Sequence, residues 1–437
     1  MDRGARTAHD GRAGSLAGAG AGTGVDGGGA VGMAADRAGS AGEVFGAFLR
    51  LGLSSFGGPI AHVGYFRNEF VQRRGWLDDA RFARLLALCQ FLPGPASSQL
   101  GFAIGLLRAG WGGAFAAFVG FTAPSALLMF AFAGLSPRLA GASGAAAIHG
   151  LKLVAVVVVA AGVLGMARQL AADLPRALIA VAAGALVLFA GSAWVQLAAI
   201  VGGALLGLAF CRRVAAPPTV DLAVPAASAA HLGLLALFLA GLGVSTWVLQ
   251  PTVGHAIPPT PGALAAAFYQ AGALVFGGGH VVLPLLERSV VDSGWLDAGT
   301  FLSGYGAAQA VPGPMFSLAA FLGAAVSTGL HPALGAAIAL AAIFLPGGLL
   351  LAAVLPAWGR FGRSPAAAAA IAGVNAAVVG LLGAALYDPV WTQAVHSAVD
   401  LAIVLAGFAL LVLARVPVLA VVLGCVATAV GFARLAG

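Results

Sequence analysis

AGTFLSGYGAAQAVPGPMFSLAAFLGAAVSTGLHPALGAAIALAAIFLPGGLLLAAVLPAWG, residues 298–359, runs for 62 positions without an Asp, Glu, Lys or Arg. The 65 residues between Asp221 and Glu287 are equally free of them. No water-facing surface can be built from such runs. A bilayer accepts them, because a spanning helix needs about 20 apolar residues. The whole chain agrees: of 437 residues 60% are hydrophobic and 8% charged, with a mean hydropathy of +0.99, whereas a soluble domain carries about 25% charged residues. This composition excludes a secreted disulfide scaffold, a disordered chain and a nucleic-acid-binding domain. The net charge of +7 comes from arginines, most of them in short loops, which is the positive-inside rule at work.

The expected fold is an all-α polytopic membrane protein. Thirteen apolar segments stand out, at 44–66, 82–108, 111–135, 144–168, 176–191, 193–211, 230–250, 262–286, 301–326, 331–357, 366–387, 396–414 and 417–435. Residues 1–41 are Gly, Ala, Ser and Arg without an apolar core, and read as a disordered tail. Its arginines Arg3, Arg6, Arg12 and Arg37 are suited to weak contact with anionic lipid.

Self-similarity divides the rest. Phe56-Gly57-Gly58-Pro59 recurs as Phe276-Gly277-Gly278-Gly279, and Glu69 as Glu287. Gly75-Trp76-Leu77-Asp78 recurs as Gly294-Trp295-Leu296-Asp297. Gln90-x-x-Pro93-Gly94-Pro95 recurs as Gln309-x-x-Pro312-Gly313-Pro314, and Gly150-Leu151-Lys152 as Gly373-Val374-Asn375. The organisation expected is therefore a tail (1–41), a first repeat (42–213), a linker with an extra helix (214–260) and a second repeat (261–437). Seven crossings separate the two starts, and an odd number inverts the second copy, as in many secondary transporters. Five arginines (Arg67, Arg73, Arg74, Arg81, Arg84) would then lie outside, against the positive-inside rule. A re-entrant segment 82–108 would place them inside and change the parity, so both topologies stay open at this stage.

The paired motifs, from about Glu43 to the C-terminus, resemble the chromate ion transporter family in its long, two-domain form. The resemblance implies export of the oxyanion chromate across the cytoplasmic (inner) membrane, and with it chromate resistance. The second copy departs from the first at Gly279, against Pro59, and at Met315-Phe316, against Ala96-Ser97. Family members with undefined substrates exist, so sulfate or another oxyanion is the alternative cargo.

The motifs suit such a task. Pro-Gly-Pro inside a span breaks the helix, and backbone freed at that depth must be buried or line a cavity. A half-helix restarting after Pro95 aims the N–H groups of Ala96, Ser97 and Ser98 at one point, a ready anion site. Gln90, Gly94 and Gln99 in the first copy, and Gln309, Gly313 and Ser317 in the second, complete the candidate substrate-binding set. Pro93, Pro95, Pro312 and Pro314 make the breaks, and Gly57, Gly58, Gly277 and Gly278 permit close approach. Lys152, the single lysine, sits inside an apolar segment, where an ionisable group costs about 2.5–3.5 kcal/mol. It reads as a counter-charge, with Asn375 as its neutral counterpart. Glu69, Glu287 and His280 are candidates for coupling or gating, against a bland alternative of surface ion pairs and a satisfied buried histidine. Asp78 and Asp297 read as helix N-caps, and Trp76 and Trp295 as interface anchors.

Cys89, Cys211 and Cys425 lack metal spacing and pairing logic, and no His-Glu-x-x-His or Cys-x-x-Cys occurs. No cofactor or metal is therefore expected. The partners implied are an oxyanion and membrane lipid, with a homodimer compatible and nucleic acid not. An intramembrane enzyme would need a nucleophile with its base, and the histidines show no such grouping. A channel or passive scaffold is the remaining class.

Overall fold

The computed structural model describes residues 39–139, 141–190, 193–212, 229–250, 258–276, 281–358 and 364–436. The tail through residue 38, linker positions 213–228, and Gly277, Gly278 and His280 lie outside the described residues. Among those described there are sixteen α-helices and no strand. The first half contains α1 (Ala41–Ser54), α2 (Gly58–Arg67), α3 (Asp79–Phe91), α4 (Ala96–Leu135), α5 (Ala142–Leu170), α6 (Leu174–Ala190) and α7 (Ala193–Phe210). After α8 (Ala229–Val248) the second half contains α9 (Pro261–Leu274), α10 (Val282–Glu287), α11 (Ala298–Ala310), α12 (Leu318–Ala325), α13 (Pro332–Val354), α14 (Pro365–Ala385), α15 (Ala398–Val412) and α16 (Val418–Ala436). Six of them (α4, α5, α8, α13, α14 and α16) are long and apolar enough to cross a membrane, and α6, α7, α12 and α15 are shorter apolar helices. The chain is a multi-pass membrane protein.

The helices do not follow the thirteen apolar runs one for one, and the reason is local backbone chemistry. Segment 44–66 divides at Ser55–Gly57, where Gly57 and Gly58 take φ values of 100° and 74°. Segment 82–108 divides at Pro93-Gly94-Pro95, since proline can neither donate nor accommodate the preceding turn. Its second part and segment 111–135 together make up α4, which non-helical backbone interrupts at Ala109 and Gly110, the division the sequence placed between residues 108 and 111. Hydropathy is blind to punctuation such as the turn at Gly57. Caps behave as expected: the Asp78 and Asp297 side chains accept from the amides of Arg81 and Thr300. Ser397 and Asp400 form a reciprocal capping box on α15, each such cap being worth about 1 kcal/mol.

The two halves are interlocked through small residues. Gly150 of α5 packs on the backbone of Cys425 and Val426 in α16, and Gly373 of α14 packs on Gly203 and Gly207 of α7. Gly407 of α15 meets Val157 of α5, and Gly380 of α14 meets Gly184 of α6. Moving 223 residues along the chain turns each of these contacts into its partner, so the interface is self-complementary, as across a two-fold axis. Each half therefore lends a long helix, α5 or α14, to the other. Within each half the turn after the broken helix closes through another glycine pair, Gly105 on Gly113 and Gly323 on Gly335. Backbones approach this closely only where side chains are absent, which is how helices associate when lipid offers no hydrophobic gain. A side-chain hydrogen bond also crosses the halves: His149 Nε2 of α5 meets Asp400 Oδ1 of α15 at 2.6 Å.

A Cβ on Gly373 would collide with the Gly203 carbonyl, whereas a Cβ on Gly383 meets nothing within 4 Å. Gly373→Ala should therefore destabilise by about 1–3 kcal/mol, lowering the melting temperature in detergent. Gly383→Ala on the same helix should not. Equal melting of the two variants would refute this packing.

Candidate functional site

The two Pro-Gly-Pro loops end α3 and α11 and meet at the centre of the interlocked halves. Gly94 has φ 127° and Gly313 φ 96°, values open to glycine and strained for any other residue. The Gly94 amide donates to the Val275 carbonyl at 2.7 Å, and the Gly313 amide donates to the Ser55 carbonyl at 2.9 Å. Val275 and Ser55 are the C-caps of α9 and α1. Each broken loop therefore hangs from the frayed helix end of the other half. This answers the requirement that backbone freed at membrane depth find a partner.

Side chains brace the same knot. The buried Gln99 donates from Nε2 to the carbonyls of Pro93 (2.9 Å) and Gly347 (3.1 Å). His62, fully buried, reaches Ser97 Oγ at 3.4 Å with Nδ1 and the Ser55 carbonyl at 3.3 Å with Nε2. On the second loop Gln309 Nε2 lies 3.0 Å from Met315 Sδ.

Between the loops lies a cavity of about 640 Å³. Of the residues singled out from sequence, Gln90, Gly94, Ala96, Ser97, Gly57 and Gly58 line it from the first half, and Gln309, Gly313 and Asn375 from the second. Asn375 Oδ1 is buried without a partner. The first-turn amides of α4 have no intrahelical acceptor, and Pro95 offers no side-chain cap. Among the described residues no carboxylate lines the cavity.

Several sequence candidates lie elsewhere. Ser98, Gln99 and Ser317 do not line the cavity; Gln99 is occupied as a strut, and Ser317 is buried in the turn that opens α12. The four prolines shape the loops without lining the cavity. Lys152 is also absent from the lining: its ammonium packs against Gly299 in the first turn of α11 and feels the charge of Asp297. Glu69 is buried and held by Arg73 and Arg74 at 2.6 Å each. Arg74 and Arg108 flank the Trp76 ring at 5.2 and 5.1 Å, and Arg108 also pairs with Glu43 at 3.2 Å. This network is an ionic clasp outside the cavity. Around Glu287 the pattern differs, with Arg288 paired to Asp292 at 3.5 Å.

Two polar lining residues were missed from sequence, Gln169 at the end of α5 and Arg176 in the first turn of α6. Their only sequence signal was the charged run Asp173-Leu174-Pro175-Arg176, and nothing in the pattern said that this turn reaches the cavity.

The chain matches the family model described as "Chromate transporter" twice, over residues 42–208 and 262–431. It belongs to the chromate transporter family. A "Probable chromate transport protein" of Synechococcus elongatus is 30% identical over 365 residues, covering 78% of this chain and 82% of that one. A "Chromate transport protein" of Pseudomonas aeruginosa is 28% identical over 353 residues, 79% of this chain and 80% of its own. Another of that title from Cupriavidus metallidurans is 29% identical over 352 residues, 78% and 80%. No solved structure matches this chain.

Gln99→Leu keeps the volume but leaves the Pro93 and Gly347 carbonyls without their donor. Each unsatisfied buried group costs about 1–3 kcal/mol, so the purified protein should melt several degrees below wild type. An unchanged melting point would mean that the loop stands without this strut.

Proposed function

We propose that this protein is a secondary active transporter that exports chromate across the cytoplasmic membrane, binding it in the cavity between the two Pro-Gly-Pro loops. The observation that carries the reading is a small set of polar groups on an otherwise largely apolar lining: among the described residues these are Gln90, Ser97, Gln169, Gln309, Asn375 and Arg176, without a carboxylate. Amide, hydroxyl and guanidinium donors without an opposing carboxylate suit a tetrahedral dianion. Its position between two copies of one motif supports alternating access, in which one repeat rocks against the other around a central site. The exchange of contacts between the halves supports an inverted pair, 42–213 and 261–437, with α8 as the connecting crossing.

No phosphate-binding loop of the Gly-Lys-Ser/Thr type occurs in the sequence, so the energy comes from a gradient. Moving a dianion out of a cell that is negative inside is favourable by about 2.3 kcal/mol per charge per 100 mV. Membrane potential therefore suffices, and proton exchange is an additional drive. Sulfate shares the charge and geometry of chromate and is the alternative cargo.

Everted membrane vesicles carrying the protein should take up chromate when the lumen is made positive, with sulfate as competitor. A pH gradient at clamped potential reports proton exchange: unchanged flux would remove the proton from the mechanism and leave potential as the drive. Uptake of sulfate but not chromate would replace the cargo, and flux of no anion would defeat the transport reading. Lys152→Ala, outside the cavity lining, should leave the chromate KM at the wild-type value. A large rise in KM would return Lys152 to the substrate path.

A further inference from the structure

We infer that Arg176 is the residue that meets the oxyanion's charge in the cavity, and that Asp173 holds its guanidinium between substrates. This rests on the oxyanion-transport reading above. Among the described residues Arg176 is the one arginine or lysine that lines the cavity. Its side chain is 18% exposed, against 47% for Asp173, so the cation is the more enclosed of the pair. Arg176 Nε donates to Asp173 Oδ2 at 2.8 Å, and the Arg176 amide donates to Asp173 Oδ1 at 3.0 Å. The amide contact is the backbone N-cap bond of α6; only the Nε contact is on the guanidinium. Among the described residues its terminal Nη groups, which carry four of the five donors, meet no acceptor.

Helix stability does not account for an arginine here. Arg176 occupies the third position of α6, where a capping box would place Glu or Gln, and the helix dipole disfavours a cation in the first turn. The packing of the repeat does not demand it either, because the matching position of the second half, 223 residues on, is Val399. The charge is an addition to one half only. It stands with Gln169 where α5 ends and α6 begins, while Ala96 and Ser97 present the start of α4 elsewhere on the same lining. A tetrahedral dianion offers two oxygens to a planar fork in bidentate fashion, geometry that arginine provides and lysine does not. Asp173 occupies the Nε edge and leaves the Nη edge for the anion, so it orients the fork and competes for its charge.

The test is the initial rate of anion uptake into everted vesicles against anion concentration, for wild type, R176K, R176Q and D173N, with membrane insertion checked for each. Charge-assisted bonds of this kind are worth about 1.5–3 kcal/mol. R176Q should therefore raise KM by about tenfold to a hundredfold, with a smaller change in maximal rate. R176K, which keeps the charge and loses the fork, should fall between R176Q and wild type. D173N should shift KM in the opposite direction from R176Q or leave it unchanged. Should R176Q give no measurable flux, binding decides: chromate or sulfate should raise the melting temperature of purified wild type and R176K but not of R176Q. A wild-type KM in R176Q, or an equal thermal shift, overturns the assignment while leaving transport intact. Wild type that neither moves nor is stabilised by chromate, sulfate or molybdate defeats the transport reading and this assignment together.

Discussion

The structure depends on one constraint: a backbone broken at membrane depth must find its hydrogen bonds inside the protein. Two breaks per half are built in, one after α1 or α9 and one after α3 or α11. The chain solves both at once by crossing them. The amide of Gly94 takes the carbonyl left open at Val275, and the amide of Gly313 takes the one at Ser55. Each loop glycine amide is satisfied by the other half, which ties the two together. The cavity lies beside this crossing, and its lining combines residues of the breaks, such as Gly94, Ser97 and Gly313, with Gln169, Arg176 and Asn375 from α5, α6 and α14.

Everything around the crossing brings the halves close enough to make it. Glycines at 150, 184, 373 and 380 let α5 and α14 lie against helices of the opposite half at backbone distance. The aromatic cluster of Phe48, Phe66, Phe70 and Phe121 fills the first half behind the break, with ring centroids 4.7–6.4 Å apart. His62 lies edge-on to Phe121 at 5.2 Å and ties that cluster to Ser97 and Ser55. A fully buried histidine between a cavity-lining serine and a loop carbonyl joins the core to the site.

Charge is distributed with equal economy. Glu43, Glu69, Arg74 and Arg108 neutralise one another around Trp76, which keeps acidic groups away from the cavity. His149 and Asp400 pair across the halves, and Asp400 also accepts the amides of His396 and Ser397. Among the described residues the cavity is left with amide and hydroxyl side chains and a single guanidinium on an otherwise apolar lining. A few charges in low dielectric carry far more weight than the same charges in water, so what is excluded from the lining matters as much as what is present.

The membrane class, the two-fold repeat, the breaks at Pro-Gly-Pro and the caps at Asp78 and Asp297 were legible in the sequence. Each follows from local chemistry: apolar run length, a missing amide proton, a side chain that reaches its own backbone. Gln90, Gly94, Ser97, Gln309 and Gly313 sit on or beside those breaks and line the cavity, and Asn375, read as the counterpart of Lys152, lines it although Lys152 does not. The number of separate helices was not legible, because hydropathy averages across the turn at Gly57. Nor were the fates of Lys152 and Arg176. Both are cations beside or within apolar helices, and the pattern favours the deeper one. The fold instead turns Lys152 toward Asp297 and brings Arg176 into the cavity. The sequence by itself determined where the chain breaks and what it repeats. Only the tertiary structure decided which broken end each loop completes and which cation faces the space between, because those depend on contacts between residues some two hundred positions apart.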